Sequence, residues 1–266
     1  RVLIIKSDDG CLMPPNDVEK KVFEKLRLPP NVRLACQVKP TGNVTCEPLL
    51  PPDVTAKEAL SPGKYMHGQE ITITLMFADL HGFTKLSESK LPFDVVFMLN
   101  QYFQSMGSAI EGAGGRIDKF IGDGIMALFG TEGGAENNAQ QALTAAREMS
   151  LRLELINGQL KNDLNEPLRL GIVIHRGSAI VGTMGHGAAT QITAIGDTAN
   201  SAARLESITK DFGIQLLVSA AVEAEATADL SGFEQSDIPV RGRTESIYVR
   251  KINSASEIDI PPIPRK

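Results

Sequence analysis

Residues 116–129 constrain the fold of this chain more than any other stretch. Arg116-Ile-Asp-Lys-Phe-Ile121 and Ile125-Met-Ala-Leu-Phe129 are apolar runs of strand length, separated only by Gly122-Asp123-Gly124. That pattern reads as two buried strands joined by a tight hairpin turn. A further buried strand is expected at Ile71-Thr-Ile-Thr-Leu-Met-Phe77, which alternates and then runs apolar. Between them, residues 92–110 carry Val95, Val96, Leu99, Tyr102, Phe103, Met106 and Ile110 near helical spacing, and Gly112 and Gly114-Gly115 end the helix. Downstream, a long amphipathic helix fits residues 134–160, and residues 168–175 and 178–182 read as a strand pair. A Gly-Asp turn opens a helix within 194–209, and short strands fit 214–218 and 245–252. Together these elements predict an α+β fold, a mostly antiparallel sheet with flanking helices.

The first fifty residues read as a separate small, β-rich unit. Residues 1–6 are strand-like, and Asn16 with Glu19 forms a capping box ahead of a helix over 17–27. Two short strands, 32–38 and 43–47, flank a turn at 40–42. Residues 51–69 lack periodicity and read as a proline-bearing linker, 70–252 as the main domain, and 253–266 as a disordered tail.

Composition removes several function classes. With 32 acidic against 27 Lys and Arg residues, the net charge is -5, which excludes a sequence-independent nucleic-acid binder that works by displacing counterions. No apolar run reaches the roughly 18–20 residues needed to span a bilayer. The expectation is a cytoplasmic domain, with membrane attachment only through segments outside this sequence. Cys11, Cys36 and Cys46 form no C-x-x-C pair, and His67, His81, His175 and His186 have no metal-ligand spacing. Zinc sites and a disulfide framework are therefore not indicated. No G-K-[ST] loop is present, which excludes a P-loop NTPase.

Three places carry chemistry. Asp79 ends an apolar strand, where a carboxylate is held rigidly yet can reach a Mg²⁺ ion. Gly82 and Thr84 follow at a helix start whose backbone N–H groups can hold phosphate oxygens. Asp123 sits in the hairpin turn. Taken singly, Asp79 also reads as a helix cap and Asp123 as a turn former. Asn200 and Arg204, four apart, share one helix face that can hold a sugar oxygen and a phosphate, or simply face solvent.

Together these segments resemble the class III nucleotidyl cyclases over residues 69–252. The resemblance rests on F-A-D-L-H-G-F-T at 77–84, D-K-F-I-G-D-G-I-M-A-L-F-G at 118–130, G-I-V-I-H-R-G at 171–177 and I-G-D-T-A-N-S-A-A-R-L-E at 195–206. Val240-Arg-Gly-Arg-Thr-Glu-Ser-Ile-Tyr-Val249 is similar to the family's closing strand. The resemblance implies a ferredoxin-like palm that converts ATP to 3′,5′-cyclic AMP and pyrophosphate. It also implies two metal ions, Mg²⁺ or Mn²⁺, held by Asp79, Asp123 and the Leu80 backbone carbonyl. Phosphates would lie against Gly82, Phe83 and Thr84, Asn200 would orient the ribose, and Arg204 would neutralise charge on the α-phosphate. Lys119 and Thr193 fall at the base-reading positions. Lys119 suits the adenine N1 acceptor, where guanylyl cyclases carry Glu, and the Thr193 hydroxyl can accept from the adenine amino group. Thr at that position also resembles the subgroup stimulated by bicarbonate or CO₂. A symmetric homodimer with two shared sites is implied, since one chain carries both half-sites.

Residues 1–50 resemble the latter part of a plant-type 2Fe–2S ferredoxin, a β-grasp domain, with Cys36 in the fourth ligand position. The C-x₄-C-x₂-C that holds the other three ligands is absent. A bound cluster and redox-type regulation are thus expectations for a longer chain. Two rival readings are weaker. A diguanylate cyclase needs a G-G-[DE]-E-F turn, which 121–124 and 133–136 do not match, and a degenerate regulatory domain should have lost a metal Asp or the Asn–Arg pair.

Overall fold

The structure is a computed structural model that describes residues 2–26, 29–48, 68–88, 90–131, 137–164, 166–186, 190–240 and 246–261. The side chains of Lys25, Leu26, Thr84 and Lys85 are outside the description. The chain divides into two units, residues 1–63 and 64–266. Most of the linker expected at 51–69 lies outside the described residues.

In the first unit, β1 (Val2–Ser7) pairs antiparallel with β2 (Val32–Arg33) on one side and β3 (Val44–Pro48) on the other. Helix α1 (Asp17–Leu26) starts at the capping box read from the sequence. The Glu19 N–H donates to Asn16 Oδ1 at 2.9 Å, and the Asn16 N–H donates to Glu19 Oε2 at 3.4 Å. Glu19 also receives both arms of the buried Arg33, at 3.0 and 2.8 Å, and this guanidinium first of all holds its carboxyl below the usual range. The strand expected over 32–38 is shorter than the sequence suggested, because the chain turns at residues 35–37.

Among the described residues of the second unit, eight strands form one sheet. Its path is β10 (Glu234–Ile238), β11 (Ile247–Ile252), β9 (Leu216–Ser219), β7 (Arg169–Met184), β4 (Gln69–His81), β6 (Gly124–Phe129) and β5 (Arg116–Ile121), with β8 (Gln191–Ile195) paired to the far half of β7. All pairings are antiparallel except β7 with β9. Helices α2 (Phe83–Glu88), α3 (Pro92–Gly112), α4 (Asn138–Gln159), α5 (Asp197–Phe212) and α6 (Ala220–Glu223) complete the α+β arrangement.

The period of two along β4 decides what faces what. Met76, Ala78 and Leu80 enter the core formed with α3 and α4, around Tyr102, Met106, Leu143 and Met149. Ile73, Leu75 and Phe77 face the opposite layer, against Ala199 and Ala202 of α5. β4 is apolar on both faces because helices cover both. Each fully buried Leu or Ile contributes about 1.5–3 kcal/mol relative to exposure. Continuing the alternation, Asp79 emerges on the α5 side.

Three expectations are corrected. Residues 169–184 form one strand, not two, because Gly177 is a point of close approach and not a turn. A Cβ there would lie 2.7 Å from Thr198 Oγ1 on α5. Strand β10 has no counterpart in the sequence reading; its residues, Glu-Gln-Ser-Asp-Ile, show no apolar alternation. Residues 253–261 are not a free tail, since Ala255 and Ile258 are buried in the main core and Pro261 O accepts a hydrogen bond from Gln140. Residues 262–266 are outside the described residues.

Candidate active site

The end of β4 and the β5–β6 turn meet. Pairing of β4 with β6 stops at Ala78 opposite Ile125, while pairing with β7 runs on through Asp79, Leu80 and His81. This leaves the last residues of β4 open on the side where the turn folds over. Gly122 takes a left-handed φ of 64°, and a Cβ on Gly124 would sit 3.1 Å from Ile121 O and 3.2 Å from Asp79 Oδ1. Glycine on both sides of Asp123 is what lets the turn close against Asp79.

The result is a cluster of acids. Desolvation, then the charge of Asp79 and a hydrogen bond shared with it, push the Asp123 carboxyl above its usual range. Glu206 of α5 joins them; burial first, then Asp79, raises its pKa to about 7, and its Oε1 is buried with no hydrogen-bond partner among the described residues. The Tyr102 hydroxyl, also buried and unpartnered there, is pushed up by burial and by these same three carboxylates. Among the described side chains, one cation faces them. The Lys210 ammonium donates to Asp79 Oδ2 at 2.9 Å, and that bond, ahead of all other causes, raises its pKa. Neither Glu206 nor Lys210 was singled out in the sequence. They lie four apart on α5, and only the packing of α5 on the Asp79 face of β4 gives that spacing a partner.

Crowded carboxylates with an unpaired buried oxygen suit a divalent cation. Among the described residues no group of three or more His, Cys, Asp or Glu side chains is arranged to ligate a metal alone. Two aspartates without a full protein cage fit the habit of Mg²⁺, which takes one or two carboxylates and completes its shell with water and substrate phosphates. Leu80 is buried in the core by its side chain, so its backbone is what it can offer. Gly82 (φ 78°) leads into α2, Phe83 packs against the core, and the Thr84 side chain is outside the described residues.

A second group lies on β5 and β8. Lys119 Nζ donates to Thr193 Oγ1 at 3.0 Å, so the two residues placed at the base-reading positions do meet. The sequence reading missed Asp118. Its side chain is fully buried, its Oδ2 accepts from the Thr193 hydroxyl at 2.5 Å, and its Oδ1 lies 3.4 Å from Lys119 Nζ.

Asn200 and Arg204 occupy an exposed face of α5. Ten residues separate Asn200 from Lys210, a rise of roughly 15 Å along the helix. At about 100° per residue, Asn200 and Arg204 point to the side of α5 away from Glu206 and Lys210, which face the acid cluster. In the first unit Cys11 is buried, with its thiol 3.7 Å from Asn43 O, whereas Cys36 and Cys46 are exposed, and all three are free.

The family described as the adenylate and guanylate cyclase catalytic domain matches residues 66–251. The chain is 34% identical over 189 residues to an adenylate cyclase of Anabaena cylindrica, covering 68% of this chain and 37% of that one. It is 32% identical over 180 residues to adenylate cyclase 1 of Rhizobium meliloti, covering 68% and 27%. The chain thus spans well under half the length of these curated relatives. Among solved structures, the guanylyl cyclase Cya2 superposes with a TM-score of 0.65 at 29% identity, covering 74% of this chain and all of that one. The adenylyl cyclase CyaB from P. aeruginosa follows at 0.61 and 26%, covering 70% and 96%.

Proposed function

The chain belongs to the family of adenylate and guanylate cyclase catalytic domains, and from that premise we propose that it converts ATP to 3′,5′-cyclic AMP and pyrophosphate. The observation that carries the proposal is the convergence of Asp79 and Asp123, about forty positions apart, on one acid cluster that the Lys210 ammonium faces. Mg²⁺ or Mn²⁺ held by Asp79, Asp123 and the Leu80 carbonyl would supply Lewis-acid stabilisation of the ribose 3′-oxygen and of the triphosphate charge.

The chain's own residues position the rest. The 3′-hydroxyl gives up its proton to solvent as the bond from its oxygen to the α-phosphorus forms, the bond from that phosphorus to the bridging oxygen breaks, and pyrophosphate leaves with the electron pair. Asn200 orients the ribose, and Arg204 neutralises charge building on the α-phosphate. The Gly82, Phe83 and Thr84 backbone faces the other phosphates. Lys119 donates to adenine N1 and Thr193 accepts from the adenine amino group. The two curated relatives are adenylate cyclases, whereas the solved structures include a guanylyl as well as an adenylyl cyclase, and the Lys119–Thr193 pair supports ATP.

Asn200 and Arg204 serve the acid cluster of a second copy, which makes the active form a homodimer. Two observations support this: the placement of Asn200 and Arg204 on the side of α5 away from Glu206 and Lys210, at about 100° per residue, and exposed apolar side chains. Phe93, Val96 and Phe97 share one face of α3, and Phe120 and Ile121 end β5, each about half exposed or more. Phe93, Val96 and Phe97 are neighbours on one helix face, and it is contiguous exposed apolar groups, not single residues, that mark interaction surfaces.

The Thr193 variant carries the further proposal of stimulation by bicarbonate, which a rate that stays flat across bicarbonate concentrations at fixed pH would remove. Redox regulation by the first unit rests on Cys36 alone. The residues present do not fit a four-thiolate cluster, because Cys11 is buried and Cys46 does not follow the ligand pattern. No redox step is assigned. The test of the main proposal is incubation with ATP or GTP and Mg²⁺ or Mn²⁺, with identification of the product. Cyclic AMP and pyrophosphate in equal amounts are expected; nucleoside diphosphate, or cyclic GMP in preference, would reject it.

A further inference from the structure

The register of β5 shifts against β6 between Ile117 and Lys119, leaving Asp118 with no partner on β6. In a regular strand, neighbouring side chains point to opposite faces. Here the bulge turns both Asp118 and Lys119 toward Thr193, a re-aiming that bulges provide. We propose that Asp118 is a specificity-positioning residue that fixes the Thr193 hydroxyl as an acceptor toward the base, and thereby selects adenine over guanine.

A threonine hydroxyl has one proton and two lone pairs, a lysine ammonium has three protons and no acceptor, and a carboxylate only accepts. The Thr193 proton goes to Asp118 Oδ2 at 2.5 Å. One Thr193 lone pair takes a proton from Lys119 at 3.0 Å. Lys119 Nζ also lies 3.4 Å from Asp118 Oδ1, an ion pair and not a hydrogen bond, since that buried oxygen has no hydrogen-bond partner among the described residues. What remains for a ligand is at least one N–H of Lys119 and one lone pair of Thr193. Adenine offers the complement, an N1 acceptor beside an amino donor, whereas guanine offers an N1–H donor beside a carbonyl acceptor. Without Asp118 the hydroxyl rotates freely and can donate to that carbonyl. The Asp118 side chain has no exposed surface, so it acts through Thr193 and not on the nucleotide.

This inference rests on the base assignment above, and the experiment separates the two. Asp118→Asn is informative because the Lys119 ammonium favours the amide oxygen on its own side, which turns the amide N–H₂ toward Thr193 and frees the hydroxyl proton. The ratio of kcat/KM for ATP over GTP is measured, together with binding of 3′-deoxy-ATP and 3′-deoxy-GTP, which cannot cyclise. Both ratios are expected to fall about tenfold in Asp118→Asn and Asp118→Ala, the scale of one misdirected hydrogen bond. A merely destabilised protein would lose both nucleotides in parallel. In a Thr193→Val background, Asp118→Asn should change neither ratio further. An unchanged ratio in Asp118→Asn with a wild type that prefers ATP overturns this inference alone, as does an equal change in the Thr193→Val background. A wild type with no preference for ATP overturns it and the base assignment together.

Discussion

Replacing Lys210 by Met should destabilise the metal-free protein and strengthen its binding of Mn²⁺. The ammonium is 2.9 Å from Asp79 Oδ2, and the side chains are 45% and 23% exposed. A pair this accessible is screened, and such pairs contribute about 0.2–1 kcal/mol. Lys210 also faces Asp123 and Glu206, which places the loss at the upper end, about 1 kcal/mol. For a domain of this size the midpoint should fall by about 2–4 °C. The same ammonium competes with any cation for Asp79, so its removal should tighten Mn²⁺ roughly fivefold in the absence of nucleotide. Thermal denaturation in EDTA reads the first effect, and an electron paramagnetic resonance titration of free Mn²⁺ reads the second. Lys210→Arg keeps the charge and should stay near wild type in both. A Lys210→Met protein that is as stable as wild type without metal, or that binds Mn²⁺ no more tightly, would refute the reasoning.

Glu206 makes stability depend on pH. Its native pKa of about 7 lies above the 4.5 of an unperturbed glutamate, so between about pH 4.5 and 7 the unfolded chain releases a proton that the native protein keeps, and stability falls as pH rises. Glu206→Gln should remove that fall in EDTA, seen as a midpoint advantage over wild type that grows from pH 4.5 to 7.5; an advantage constant with pH would contradict the assignment. Arg204→Ala should lower kcat by roughly 100- to 1000-fold with little change in KM, since its charge acts on the transition state; a KM effect alone would place Arg204 in ground-state binding. Asp79→Ala and Asn200→Ala chains should each be nearly inactive, yet their mixture should regain activity at one of two shared sites. Failure to recover in a mixture shown to form mixed dimers would reject the shared site.

Much of this was legible because local pattern and tertiary role agree. The apolar alternation from Ile71 to Phe77 and the glycines around Asp123 specify a strand and a turn by themselves, and the helix from Pro92 has a period that any window reveals. What stayed hidden depends on contacts across layers. Gly177 reads as a breaker in sequence, but its lack of a side chain serves the approach of Thr198. Asp118 looks like the polar member of an alternating strand until the bulge turns it toward Thr193. Glu206 and Lys210 look like the solvated residues of an amphipathic helix until α5 is laid over Asp79. The glutamate and aspartate of β10 hide a strand held mainly by its pairing with β11.

The account turns on whether Asp79 and Asp123 grip cations together. Crystals grown with Mn²⁺ and 3′-deoxy-ATP, measured at the manganese absorption edge, answer this directly. Two anomalous peaks, both within bonding distance of the Asp79 and Asp123 carboxylates, with Lys210 displaced from Asp79, are expected. Manganese bound elsewhere, or an Asp79 that keeps its ammonium partner with nucleotide in place, would contradict the account.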